Sequence, residues 1–223
     1  MNFVVIEGLD GSGKSTQISL LREYLESNNI RHKYLHFPRT DTPVYGELIA
    51  RFLRGDSGDI NAVDPYMVAL LYAGDRNDAK HLINNWIKDG YFVLVDRYVN
   101  SNIAFQCAKL SSDIEKVKLK NWIIKLEYEY NQLPVPDINI FLDVPFEFTE
   151  HQLLKDRKGA DRDYLDGKAD IHEADLIFQR KVREVYLSLD KLNDKNLILN
   201  CYGKENNMLS PKMIFNSIIE VIK

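Results

Sequence analysis

Gly8-Leu9-Asp10-Gly11-Ser12-Gly13-Lys14-Ser15-Thr16 follows an apolar run, Phe3-Val4-Val5-Ile6, and precedes a segment with helical spacing, Ile18, Leu21 and Leu25. The spacing G-x-x-x-x-G-K-S is that of a phosphate-binding loop, and it sits where such a loop must sit, after a strand and before a helix. Gly8, Gly11 and Gly13 permit positive φ and close backbone approach, so that successive N–H groups can turn onto one anion. The following helix adds about half a positive charge at its N-terminus. Lys14 can reach β- and γ-phosphates as a mobile point charge, and the Ser15 hydroxyl can ligate Mg²⁺.

Outward from this loop, short apolar runs alternate with helical patterns. The runs are Phe3–Ile6, a weaker Lys33–Phe37, Phe92–Val95, Ile138–Leu142 and Leu197–Leu199; several are apolar nearly throughout, as strands covered on both faces are. One helix is expected over 64–88, with Met67, Leu70, Leu71, Leu82, Ile83 and Trp86 as its apolar stripe; Leu176, Val182, Val185, Tyr186 and Leu189 form another, and Ile214, Ile218, Ile219 and Ile222 close the chain. Strand and helix alternating five times predicts a parallel five-stranded sheet with right-handed crossovers and helices on both faces, an α/β three-layer P-loop NTPase fold. Ligands in such sheets lie beyond the carboxyl ends of the strands. That rule marks the loop after Ile6, the turn after Phe37, the turn after Val95 and the segment after Leu142.

Composition narrows the ligand. The 223 residues suit one domain, 1–223, and 45% hydrophobic content supports a full core. The 29 Lys+Arg against 33 Asp+Glu leave a net charge of −4, which argues against duplex nucleic acid as a partner. A polyphosphate must therefore be held by local positive charge. Cys107 and Cys201 are far apart and lack metal spacing, as expected of reduced core thiols. No apolar run reaches the length of a membrane span and no leader precedes the loop, so a cytoplasmic protein without membrane association is expected.

The strand ends carry the rest of the chemistry. Pro38 sets the exit of the second strand, and Arg39 then faces the crevice. Asp96 follows the apolar third strand, where phosphate-loop proteins keep the carboxylate that orders Mg²⁺ or its waters; Arg97 is a bidentate partner for phosphate. Tyr72 and Arg76 share one helix face, so that one can stack on a base while the other bonds its edge. In Asp156-Arg157-Lys158-Gly159-Ala160-Asp161-Arg162-Asp163, three cations flank a glycine and could close as a lid, about 156–172, over a transferring phosphoryl group. The five histidines show no metal spacing and receive no role.

Taken together, Glu7 with Gly8–Thr16, Phe37-Pro38-Arg39, Tyr72 with Arg76, Asp96-Arg97-Tyr98 with Ser101-Asn102, Ala104-Phe105-Gln106, and the stretch around Arg157–Arg162 resemble the thymidylate kinase (dTMP kinase) family across nearly the whole chain. The resemblance implies ATP + dTMP ⇌ ADP + dTDP with Mg²⁺, and a homodimer packed through helices. It implies that Asp10 holds the sugar 3′-hydroxyl, that Arg39 and Arg97 grip the dTMP phosphate, and that Tyr72 stacks on thymine beside Phe37. Arg76 would bond the thymine carbonyl, with Ser101, Asn102 and Gln106 completing the pyrimidine side. Phe105 stands where relatives often carry a Tyr that crowds the sugar 2′ position. Some relatives carry Arg directly after the loop's acidic residue; here Gly11 stands there, so the missing charge is expected from lid residues Arg157 and Arg162, with Lys158 behind them. A nucleoside kinase would need a carboxylate base near the 5′-hydroxyl. A guanine-reading switch would carry Asn-Lys-x-Asp, and no Asn-Lys dipeptide occurs.

Overall fold

The computed structural model describes residues 1–154, 160–189 and 195–223, with the side chains of 160–162 left aside. Five strands, β1 (Phe3–Glu7), β2 (His32–His36), β3 (Phe92–Asp96), β4 (Ile138–Asp143) and β5 (Asn196–Asn200), form one sheet in the order β2-β3-β1-β4-β5. All four pairings are parallel, in register from Phe3 opposite Val93 and Val4 opposite Ile138. The helices are α1 (Lys14–Ser27), α2 (Tyr45–Leu53), α3 (Pro65–Lys88), α4 (Val99–Cys107), α5 (Asp113–Ile124), α6 (Phe146–Leu153), α7 (Leu176–Leu189) and α8 (Pro211–Ile222). A π-helical turn, Lys125–Tyr130, continues α5, and a 3₁₀ segment, Ala160–Leu165, lies in the predicted lid.

The expected α/β architecture is thus present, and the reason lies in the strand side chains. Every residue of β1, β3 and β4 is buried, whereas the edge strands β2 and β5 are mostly half-buried. Alternation then splits the core: Val5, Val93, Val95 and Phe141 face one apolar cluster with α3, α4 and α7, while Val4, Ile6, Leu94 and Ile140 face the other with α1 and α8. No described helix is long and apolar enough to cross a membrane.

One expectation is corrected on α3. Its start is as the sequence announces, Asp64 accepting from the Tyr66 N–H at 2.8 Å with Pro65 in the first turn. Its buried face, however, is Val68, Ala69, Ala73, Asp75, Arg76, Ala79 and Ile83, while Met67, Leu70 and Leu82 are exposed and Leu71 and Trp86 only half-buried. Small residues let α3 approach its neighbours closely; Gly74 has no room for a Cβ, which would overlap the Tyr45 ring. Of the expected stripe Ile83 is buried, while Met67, Leu70 and Leu82 are left on the outer face.

The junction of β1 with α4 is closed by a buried carboxylate. α4 has no side-chain cap from Tyr98 at its N-cap position. Instead Glu7 Oε1 accepts from the Tyr98 N–H at 2.9 Å and the Ser101 N–H at 3.2 Å, and Oε2 from the Ser101 hydroxyl at 2.5 Å and the Tyr186 hydroxyl at 2.9 Å. An anion from 91 residues away thereby satisfies the free N–H groups and the positive end of α4. Glu7→Ala is expected to lower unfolding free energy by roughly 2–4 kcal/mol, since two backbone N–H groups and two hydroxyls lose their acceptor. Urea denaturation checks this; a loss below about 0.5 kcal/mol would contradict the capping role.

Candidate active site

The phosphate loop takes the shape its glycines allow. Gly13, at the N-cap of α1, lies at φ 86°, which only glycine adopts freely. Gly8 is needed for space: a Cβ there would stand 2.6 Å from Ser12 Oγ and 3.2 Å from Lys14 Cγ. No side chain caps α1 and no acidic residue occupies its first turn, so its positive end faces the crevice uncompensated. Lys14 folds back, donating from Nζ to the Leu9 carbonyl at 3.0 Å and the Gly8 carbonyl at 3.3 Å. Burial, then the Arg97 charge, brings its ammonium down to about 8.

A cavity of about 950 Å³ opens beyond β1, β2 and β3. Its size lies at the upper end for small-molecule clefts. Asp10, Lys14 and Ser15 line one part, with Phe37, Arg39, Tyr72, Arg76, Asp96, Arg97, Ser101, Asn102, Phe105 and Gln106 around it. The structure thus brings together the residues expected of a phosphate and base site. Gly8, Leu9, Gly11, Ser12, Gly13 and Thr16 do not line this cavity; Leu9 and Ser12 are buried beneath the loop. The segment after Leu142 also behaves differently from expectation. Among the described residues, none from α6 lines the cavity; α6 instead backs the loop, Gln152 Cβ lying 3.0 Å from where a Cβ on Gly11 would stand. Asp143, at the end of β4, is taken up by Arg183 at 2.7 and 2.8 Å. Arg157 and Lys158 lie outside the described residues; Arg162 lies within the 3₁₀ segment.

Each guanidinium facing the cavity is held by a carboxylate. Arg97 donates from Nη2 to Asp10 Oδ1 at 2.6 Å and from Nη1 to Ser101 Oγ at 3.2 Å, with its Cζ 5.2 Å from the Phe105 ring centroid. Its backbone is held at φ 65°, a strained value for a non-glycine residue. Arg39 donates from Nε to Asp75 Oδ1 at 2.8 Å and from Nη2 to Asp78 Oδ2 at 2.6 Å. Arg76, 2% exposed, meets fully buried Glu127 through Nε at 2.7 Å and Nη2 at 2.5 Å. Burial works against the charge on each arginine; the paired carboxylates outweigh it and raise all three above the usual value. Burial likewise raises Asp10, but Arg97 and Lys14 win and hold it well below the usual carboxylate range. Both Asp10 oxygens already accept a bond, Oδ2 from Gln179 Nε2 at 3.1 Å, so a sugar hydroxyl would share an occupied carboxylate.

Mg²⁺ can be tested against these residues. Asp96 Oδ1 is buried with no hydrogen-bond partner, while Oδ2 lies 3.1 Å from His36 Nδ1. Burial raises the Asp96 carboxyl, but the His36 bond and the Lys14 charge keep it below its usual value, hence ionised. One free carboxylate oxygen in a cavity that Ser15 also lines suits an ion that keeps waters and leans on phosphates. Among the described residues, no group of three or more His, Cys, Asp and Glu could hold a metal without such help.

Sequence reasoning missed several residues. Asp163, Tyr164, Asp170 and His172, within the predicted lid, and Glu173, just past it, also line the cavity. The 3₁₀ segment is fastened to α2 by Arg54 Nη1 donating to the Tyr164 carbonyl at 2.7 Å. Burial and the Asp10 charge push Asp170 up to about 6. His172, given no role from sequence, packs edge-on or tilted against Phe52, Phe105 and Phe178, with burial and the Lys109 charge pushing it down to about 3 and Nε2 unpartnered. Lone histidines and scattered carboxylates carry no spacing signal that could have found these.

Comparison with known proteins identifies the family. The thymidylate kinase family model matches residues 6–209. A probable thymidylate kinase of Pyrobaculum aerophilum is 38% identical over 191 residues, covering 84% of this chain and 82% of its own. Thymidylate kinase of Thermosipho africanus is 33% identical over 198 residues, covering 89% of each. The solved structure of thymidylate kinase from Candida albicans superposes with a TM-score of 0.72 at 26% identity, covering 98% of this chain and 89% of that one. By the family model over most of its length and by these relatives, the chain belongs to the thymidylate kinase family.

Proposed function

We propose that the protein transfers the γ-phosphoryl group of ATP to dTMP, giving dTDP and ADP, with Mg²⁺ bound at Ser15 and Asp96. The observation that carries this is one cavity lined both by the phosphate-loop residues Lys14 and Ser15 and by a base-reading group, Tyr72, Arg76, Asn102 and Gln106. Arg39 and Arg97 line the same space and suit the acceptor phosphate. The attacking phosphate oxygen is already ionised, so no general base is required. The difficulty is repulsion: two unit charges at ~4 Å oppose each other by about 4 kcal/mol at an effective dielectric of 20. Lys14, Arg39 and Arg97 offset that, and Mg²⁺, when bound, neutralises the charge that develops on the donor phosphates. The expected lid arginines would add charge at the transferred group. Buried, unpaired Cys107 and Cys201 suit a reducing, cytoplasmic setting for the chain, treated as one domain.

The homodimer belongs to this proposal. Met67, Leu70 and Leu82 lie exposed on one face of α3, an apolar surface suited to a second copy. Replacing Met67 and Leu70 together by Glu should yield monomers by light scattering; an unchanged mass, or a wild type already monomeric at micromolar concentration, removes the dimer.

Activity tests the rest. ADP release should require dTMP, and Lys14→Ala should abolish detectable turnover. Phosphorylation of thymidine but not dTMP would overturn the assignment, and near-normal kcat in Lys14→Ala would remove that residue's role. For the lid, Arg157→Ala or Arg162→Ala should lower kcat more than it raises the KM for dTMP, because a contact to the transferred group forms mainly in the transition state. Normal turnover in both variants would end the lid assignment.

A further inference from the structure

We propose that Glu127 is the positioning residue that sets hydrogen-bond polarity at the pyrimidine-reading end of the cavity; this rests on the reading of the chain as a dTMP kinase. Glu127 does not line the cavity; it stands behind it, fully buried on the π-helical turn after α5. Its two oxygens hold two residues that do. Arg76 donates to both from Nε and Nη2, at 2.7 and 2.5 Å. Asn102 Nδ2 donates to Oε1 at 2.9 Å and to the Ala69 carbonyl at 3.0 Å.

The consequence for Asn102 follows from donor and acceptor chemistry. Glu127 Oε1 and the Ala69 carbonyl can only accept, so the amide group turned towards them must be the NH₂. Both of its hydrogens are then used. The carbonyl oxygen, Asn102 Oδ1, is left buried without a partner, and Gln106 Oε1 is a second such acceptor. Fastening Nε and Nη2 of Arg76 likewise leaves Nη1 as the guanidinium nitrogen without a bond among the described residues. A donor on Arg76 beside an acceptor on Asn102 matches a ring edge that offers an oxo group beside an N–H. Thymine and uracil have that edge, at O4 and N3–H. Cytosine reverses it, setting its amino group against the guanidinium and its bare N3 against Oδ1. A site built this way rejects the reversed edge because its buried groups stay unpaired. With no anion at 127, the Ala69 carbonyl alone holds the Asn102 NH₂, so the amide is less firmly fixed and the reversed edge is rejected less strongly.

The test is a comparison of kcat/KM for dTMP, dUMP and dCMP in wild type, Glu127→Gln and Glu127→Asp, with ATP as donor and melting curves to confirm folding. In Glu127→Gln the dTMP:dCMP ratio should fall at least about 10-fold. The loss should arise chiefly as a higher KM for dTMP, kcat staying within about 3-fold, because the contact is made in ground and transition states alike. The dTMP:dUMP ratio should stay within about 3-fold of wild type, since the two bases share this edge. Glu127→Asp keeps the charge on a shorter arm and should lie between the other two. A purely structural role would lower turnover of all three nucleotides together; an unchanged dTMP:dCMP ratio would overturn the assignment. If Glu127→Gln does not fold, Glu127→Asp decides alone by the same ratio, any fall beyond about 3-fold supporting the assignment. Failure of the kinase reading looks different, for wild type itself would then not turn over dTMP.

Discussion

The site depends on arginines that are placed before any nucleotide arrives. A guanidinium on a long side chain carries about 2 kcal/mol of rotamer entropy, and an unpaired one left buried would be strongly disfavoured. Three carboxylates remove both problems. Asp10 holds Arg97, Asp75 holds Arg39 and Glu127 holds Arg76, each through charge-assisted bonds of 2.5–2.8 Å. These pairs need not raise net stability, because desolvation cancels much of the attraction. What they contribute is geometry: each guanidinium keeps its orientation beside the cavity it lines.

This arrangement also explains how an acidic chain can serve anionic substrates. The cavity is not a pool of excess positive charge. Lys14, Arg39, Arg76 and Arg97 line it, but so do Asp10, Asp41, Asp96, Asp163, Asp170 and Glu173, so that formal carboxylates outnumber fixed cations. Attraction must then be directional. Phosphate oxygens can be met by Lys14, by the positive end of α1 and by the free faces of the arginines. An added cation would find the unpartnered oxygen of Asp96.

The fold was legible in the sequence because its signals are local. Strand cores are uninterrupted apolar runs, and the loop's glycines and lysine lie within seven residues of one another. Ligand-facing side chains were legible for the same reason, as Phe37-Pro38-Arg39 and Asp96-Arg97-Tyr98 abut the strand ends. Their supports were not. Asp75 lies 36 residues from Arg39, Glu127 51 from Arg76, and Asp10 87 from Arg97. Nothing in the spacing of Glu127 within Lys125–Tyr130, two residues before Glu129, distinguishes it from a surface charge. The α3 stripe failed for a related reason. Periodicity identifies a face of large apolar residues, but the close packing is made by Ala69, Ala73 and Gly74 beside Val68 and Ile83, and Met67, Leu70 and Leu82 lie outside.

Glu7 and Glu127 solve the same problem at different places. Each is a fully buried carboxylate that stands outside the lining of the large cavity, and each fixes groups that line it. Glu7 holds the N–H and hydroxyl of Ser101, which in turn accepts from Arg97; Glu127 holds Arg76 and Asn102. Both converge on α4, whose Ser101, Asn102, Phe105 and Gln106 line the cavity. One short helix is thus pinned at its start by an anion from the sheet and along its side by an anion from the π-helical turn. A shift of α4 would break both sets of bonds at once, so the phosphate-facing and base-facing halves of the site must hold their positions together.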